Sequence, residues 1–397
     1  MSDAAQMMTS TRPAGLSFGN SVLIAVIGFL TLVDLFATQA ILPSLAKAYG
    51  VKPAEIGLAA NASTLGMAIS GLLVGVFSSH VERKRAIGLC LFLLSIPTAS
   101  LAFAPSLSIF ALLRVTQGLF MAGAFTLTLT HLAERCAVRT ANALAAYVTG
   151  VVASNLIGRL TAAFVASLVG AEQSFLFFAI LNLAGAALVG VSLDRNVPEA
   201  MDRSGPFWGP WLNHLSDPAL RRTFAIGFLI LFGFIGVFTY VGFILMRPPH
   251  ALSMTALGLV FLVFAPSMVT TPLAGGATQR FGPGATSAGS LTLALAGLVL
   301  LLLPSLPAII VGLTLLGVGT FFAQAVATGH VGRIAREDKA AASGLYLSAY
   351  YCGGLAGAAL IGLLFDSYGW PVAVGGVFVA LALAMVLGLG LRQRSVS

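Results

Sequence analysis

Charge is what this sequence has least of. Asp, Glu, Lys and Arg together make up 9% of its 397 residues, against about 25% in a soluble domain. So few charged groups cannot cover a water-facing surface, and a soluble globular protein is excluded. Cysteine is scarce as well. Cys90, Cys136 and Cys352 show no CxxC spacing, and Cys90 and Cys352 fall inside apolar runs, so neither a disulfide framework nor a metal site is implied. Lysine occurs only at Lys47, Lys52, Lys84 and Lys339, never after a glycine. A phosphate-cradling GxxxxGK loop is therefore missing, and ATP is not expected to drive this protein. HExxH and GxSxG are missing too, which leaves a membrane hydrolase without support. The net charge of +8 would suit nucleic acid if it clustered with aromatics on a soluble face. Here it is dispersed over short loops.

What the chain does have is apolar runs, which make up most of its 58% hydrophobic content. Runs long enough to span a bilayer, about 20 residues each, fall near 20–42, 55–79, 86–104, 107–132, 141–169 and 174–193. A second set falls near 223–246, 252–278, 285–303, 307–330, 340–365 and 371–391. Continuous helices are expected, because lipid offers backbone polar groups no other partner. The first twenty residues are polar and carry no cleavable signal pattern, so the first span is expected to stay in the mature protein.

Asp194 to Arg222 breaks the series with Pro198, Pro206, Pro210, Pro218 and several charges. It reads as a linker between residues 1–193 and 223–397, each half carrying six spans. Its "GPFWGPW" could instead lie at the membrane interface, where tryptophan is favoured. With twelve spans, sixteen Lys and Arg residues fall on the side of the termini and linker, three (Lys47, Lys52 and Arg247) on the other, and two inside. The positive-inside rule then puts both termini in the cytoplasm.

The halves echo each other. "HLAERCAVRTANALAAYVTGVVASNLIGR" starts at His131 and "HVGRIAREDKAAASGLYLSAYYCGGLAGA" at His330, an offset of 199 residues that aligns Tyr147 with Tyr346 and Gly158 with Gly357. Duplicated bundles with a site between them are the architecture of secondary transporters. "LLRVTQGLFMAGA" at 112–124 resembles the fourth-helix motif of major facilitator superfamily transporters. "GVFSSHVERKR", with Gly75, Arg83, Lys84 and Arg85, resembles that superfamily's gating loop between helices 2 and 3, and "GGATQRFGPG" its second copy. "FTYVGFILM" and "GLYLSAYYCGGLAG" resemble the YnfM-type branch of the twelve-span drug and sugar proton-antiporter group. There are departures. Ser79 and Gln279 stand where the loop has an acid, and Glu82 where it has a glycine. After Gly150, Ser154 and Asn155 replace the Gly-Pro of the fifth-helix antiporter motif, and Arg159 its last glycine.

Asp34, Arg114 and Arg159 are the charges well inside predicted spans. Such charges usually face the bundle interior or a cavity and pair with one another. The resemblance implies that helices 1, 4, 7 and 10 line a central cavity, where Asp34 and Arg114 can meet. Burial favours the neutral acid and a nearby arginine the carboxylate, so Asp34 reads as a titrating proton carrier. A static Asp34–Arg114 pair and direct binding of a cationic substrate are the alternatives. Arg159, with Asn155 one turn before it, is either an anion subsite or a structural arginine bonding carbonyls at a helix bend. Thr38, Asn61, Gln117, Met121, Tyr240, Gln324, Tyr346 and Tyr350 are further candidates for substrate contact. Glycine pairs 71/75 and 353/357 suit close helix packing.

The expected fold is an all-α membrane protein of twelve transmembrane helices in two pseudo-symmetric six-helix bundles. The expected function is proton-coupled efflux of a small organic or amphipathic solute, such as a drug or sugar, from a bacterial inner membrane. A symporter or uniporter importing an organic anion held by Arg114 and Arg159 is the second reading, and a non-transporting receptor the third. The expected partners are a small-molecule substrate, protons and the bilayer. No enzyme activity, cofactor, metal, nucleic acid or second copy of the chain is expected.

Overall fold

The computed structural model describes residues 18–77, 81–135, 140–193, 209–335 and 338–391. Ser79, Cys136, Trp208, most of the 194–222 linker, and the arginines at 12, 139, 195, 203, 336, 392 and 394 lie outside them. Sixteen α-helices and two 3-10 turns, with no strand, make up the described residues. The first half holds α1 (Phe18–Ala40), α2 (Leu42–Tyr49), α3 (Pro53–Asn61), α4 (Ser63–Phe77), α5 (Arg83–Leu101), α6 (Leu107–Arg135), α7 (Thr140–Val169) and α8 (Ser174–Ser192). After α9 (Gly209–Ser216), the second half holds α10 (Pro218–Leu245), α11 (Met254–Val260), α12 (Ala265–Thr270), α13 (Ala274–Leu300), α14 (Leu306–Ile334), α15 (Lys339–Tyr368) and α16 (Trp370–Leu389). Large apolar side chains such as Phe103 and Val191, 74% and 83% exposed, line the outside, as lipid-facing positions require.

Eleven stretches are long and apolar enough to cross a membrane, one of them the 47 residues Met254–Leu300. At about 1.5 Å per residue that stretch is roughly twice the hydrocarbon thickness. It reverses at Gly282, whose φ of 81° and ψ of 160° break the helix before Pro283. Glycine reaches that region without a Cβ penalty. The two arms supply the eighth and ninth of twelve crossings.

Continuity fails in two spans where the sequence predicts it. The second span is cut at Ala62 into α3 and α4. The eighth runs from α11 through a 3-10 turn at Phe261–Phe264, α12 and a second turn at Thr271–Leu273 into α13, with Pro266 and Pro272 removing backbone donors. The seventh helix starts at Pro218, before the expected 223. Asp217 caps it, its Oδ1 accepting from the Ala219 N–H at 2.8 Å.

Glycines bring the helices together, and the contacts repeat between halves. A Cβ on Gly28 would collide with Tyr147, and one on Gly227, 199 residues on, with Tyr346. Gly158 packs against Val33, and Gly357 against Phe232, again 199 residues apart. The α1–α7 pair is thus repeated as α10–α15. Between halves, α15 crosses α3 and α4, where Gly344 meets the Gly71 carbonyl and Ser348 donates to the Ala68 carbonyl. On the other flank α7 meets α11, with Gly258 against Ala163.

Candidate functional site

Two buried polar clusters are built on side chains of the first half, the second of them reaching the other half. The break at Ala62 leaves the Ala60 carbonyl outside the regular helical ladder, and Arg114 uses it. From α6, Arg114 Nε donates to Ala60 O at 2.7 Å. Its Nη1 donates to Gln117 Oε1 at 2.7 Å and to the Asp34 backbone carbonyl at 3.3 Å, and its Nη2 to Ser63 Oγ at 3.0 Å. Every nitrogen of the guanidinium is engaged by a neutral oxygen. Bonding carbonyls at a helix bend, the structural role considered for Arg159, therefore falls to Arg114.

Asp34 is 3% exposed. Its Oδ2 accepts from Asn182 Nδ2 of α8 at 2.7 Å. Asn182 also donates to Thr98 Oγ1 at 3.2 Å, and Gln117 Nε2 donates to the same hydroxyl at 2.7 Å. A chain thus runs from Asp34 through Asn182, Thr98 and Gln117 to Arg114, across α1, α8, α5 and α6. A direct Asp34–Arg114 side-chain pair, the alternative to a titrating Asp34, is not formed in this state. Arg114 reaches Asp34 at its backbone carbonyl, and no salt bridge of 4 Å or less joins their side chains among the contacts of the described residues. Asn182 Oδ1 is buried without a hydrogen-bond partner.

The second cluster centres on Arg159 of α7, which is fully buried. Its Nη1 donates to the Asn155 carbonyl at 3.0 Å and to Asn155 Oδ1, and its Nη2 donates to Gln39 Oε1. Its Nε is buried with no partner. Gln39 Nε2 donates to Asn61 Oδ1 at 3.2 Å, and Asn61 Nδ2 to the Gly57 carbonyl at 2.8 Å and to Thr239 Oγ1 of the second half at 3.1 Å. Five phenyl rings surround the guanidinium, with Phe36 and Phe261 each at 5.0 Å, Phe264 at 4.5 Å, Phe238 at 5.8 Å and Phe234 at 6.0 Å. Four of the five belong to the second half.

The remaining candidates spread out. The Thr38 hydroxyl bonds back to its own helix at the Asp34 carbonyl, 3.1 Å away. Met121 is buried on α6. Tyr240 donates to the Ala358 carbonyl and lies against Gly57 at the boundary between halves. Tyr346 and Tyr350 stack with centroids 6.2 Å apart, and Gln324 is half-buried on α14; neither cluster includes these three. At the start of α5, Arg83 is buried and Lys84 half-buried, while Arg85 pairs with Glu82, the residue before the helix, at 2.9 Å. Gly75 lies in α4. Sequence reasoning missed Asn182, Thr98, Gln39 and the phenylalanine ring. Asn182 had one signal, an amide inside an apolar run.

The family model described as Major Facilitator Superfamily matches residues 24–264 and 243–397. The inner membrane transport protein YnfM of Escherichia coli (strain K12) is 30% identical over 368 residues, covering 92% of this chain and 88% of that one. An uncharacterized MFS-type transporter, YybF of Bacillus subtilis (strain 168), is 26% identical over 372 residues, covering 93% and 92%. Among solved structures, a bacterial homologue of the human lysosomal transporter Spinster, in an inward-facing and occupied conformation, superposes with a TM-score of 0.75 at 15% identity, covering 93% and 95%. At that identity the likeness is one of fold.

Proposed function

Given that this chain belongs to the Major Facilitator Superfamily, we propose that it exports a small organic solute across a bacterial inner membrane in exchange for protons, with Asp34 as the proton site. The chain is a multi-pass membrane transporter that works by alternating access, and not an enzyme. Coupling, direction and the residues that carry them are the proposal.

One observation carries it. Asp34 is a buried acid whose side-chain partner is a neutral amide instead of a cation. An ionised side chain deep in a membrane costs about 2.5–3.5 kcal/mol even on permissive scales, and a salt bridge would hold the carboxylate permanently ionised. Asn182 does not. Its –NH2 donates to the carboxylate, while its unpartnered Oδ1 accepts from a protonated acid after the amide turns over. An asparagine side chain offers both a donor and an acceptor, so Asn182 can satisfy Asp34 with or without the proton. Arg114 supplies a fixed positive charge nearby that stabilises the ionised form. Its own bonds tie it to α3, α4, α6 and the backbone of α1.

The test is transport by purified protein in proteoliposomes with an imposed pH gradient, run on a panel of drugs, sugars and organic acids. Gradient-driven movement of at least one compound, collapsed by a protonophore, is expected. Transport of a panel member with no response to the gradient would contradict proton coupling.

A further inference from the structure

Arg159 is a buried cation without an anion. Among the described residues no carboxylate forms a salt bridge with it, and its hydrogen-bond partners are neutral oxygens. Buried charges in proteins are normally paired, and a charge removed from water keeps a desolvation penalty after relaxation. The residue is not required by the fold, because the second half has Ala358 at the equivalent position. Its Nε–H is spare.

The oxygens on its two terminal nitrogens are also informative. Asn155 Oδ1 on Nη1 and Gln39 Oε1 on Nη2 sit where the two oxygens of a bidentate carboxylate would sit on an arginine fork. Both belong to side-chain amides that can rotate away, and each is a weaker acceptor than a carboxylate. Around the guanidinium, phenyl rings of the second half pack against one another, with Phe36 of the first half also over it. Phe234 and Phe264 lie with centroids 5.7 Å apart, and Phe321 meets them edge-on at 5.3 and 6.0 Å.

We propose that Arg159 and its ring of phenylalanines are the substrate subsite, and that the substrate is a small organic anion of the aromatic monocarboxylate class. The carboxylate takes the Arg159 fork by displacing the Gln39 and Asn155 side-chain amides, and the ring of the substrate packs among the phenyl groups. Gln39 holds Asn61, which holds Thr239 of the other half. Displacing Gln39 therefore loosens one of the links that tie the halves together, which couples binding to rearrangement. The inference rests on the transporter reading but is independent of proton coupling at Asp34.

The experiment is isothermal titration of detergent-purified protein with benzoate, its neutral counterpart benzamide, and acetate, at fixed pH and without a gradient. Wild type is expected to bind benzoate at one site per chain and both controls at least about tenfold more weakly, a difference of about 1.4 kcal/mol. Arg159→Gln, checked for folding by gel filtration and helical circular dichroism, is expected to lose at least about tenfold in benzoate affinity. Gln39→Ala removes one competing amide and is expected to tighten benzoate binding several-fold, and Phe264→Leu to weaken it. Absent benzoate binding by folded wild type, equal binding of benzamide, or unchanged affinity in Arg159→Gln would overturn the proposal. Should Arg159→Gln not fold, unchanged affinity in both Gln39→Ala and Phe264→Leu overturns it. Because no step involves a gradient, a transport defect in an Asp34 variant leaves this result unaffected, and loss of benzoate binding leaves the proton site standing.

Discussion

Arg114 and Arg159 are both fully buried arginines with different neighbours: Arg114 has a neutral oxygen on every guanidinium nitrogen, whereas Arg159 Nε has no partner. Arg114 satisfies acceptors on α1, α3, α4 and α6, so removing it strands Gln117 Oε1 and leaves Ala60 O and Ser63 Oγ only their long mutual contact of 3.5 Å. Each unsatisfied buried group costs about 1–3 kcal/mol, so Arg114→Leu is expected to lose about 3 kcal/mol or more, read as a clear fall in melting temperature. Arg114→Lys keeps the charge but loses the planar fork and should fall between Arg114→Leu and wild type. Asn182→Leu is the complementary test. It removes the amide that serves both forms of Asp34 without touching Arg114. A hydrogen bond to a charged group contributes about 1.5–3 kcal/mol, so gradient-driven transport should drop about tenfold or more while the protein stays folded. Unchanged transport in Asn182→Leu would leave the amide a packing residue. At this scale the sequence was half legible. Asp34, Arg114, Arg159, Asn155 and Asn61 stood out as polar groups in apolar runs. Their partners did not, because Thr98 and Gln39 are ordinary in a membrane helix and five phenylalanines scattered over three spans look like core.

Helices were easier to read than their interruptions. The chain reversal at Gly282-Pro283 was legible because glycine and proline mark it, and the sequence divides the spans there. The break at Ala62 was not, because "ANAS" carries neither residue and the cause is tertiary: Arg114 arrives from 54 positions away to take the Ala60 carbonyl. The 3-10 turns of the eighth span were readable only in part, from Pro266 and Pro272. The repeat was readable at its glycines, and the contacts give it a test. A Cβ on Gly357 would lie 2.3 Å from the Phe232 carbonyl, fixed backbone, whereas one on Gly158 would first meet a Val33 methyl at 3.0 Å. Gly357→Ala should therefore lower the melting temperature more than Gly158→Ala does. The reverse order would show that the two equivalent contacts are not packed as described.

For the molecule as a whole, the asymmetry between halves is as informative as the symmetry. Asp34, Arg114 and Arg159 all lie in the first half; 199 residues on stand Gly233, Leu313 and Ala358. The second half contributes phenyl rings and Thr239 instead. One half thus carries charge and the other an apolar wall, and a solute held between them would touch both. The orientation of this arrangement follows from loop charge and is tested by single-cysteine labelling. Sites in 83–85, 195–222 and 333–338 should label from the cytoplasm, and sites near 47–52 and 247–250 from outside. External labelling of the central linker would contradict the twelve-span topology. The central claim, that Asp34 is where the proton rides, is tested most directly by Asp34→Asn in proteoliposomes with a compound that wild type moves. The substitution preserves shape and removes the titrating group. Gradient-driven transport should be abolished, and exchange of labelled for unlabelled compound at equal pH should persist. Gradient-driven transport at the wild-type rate in Asp34→Asn would contradict the account.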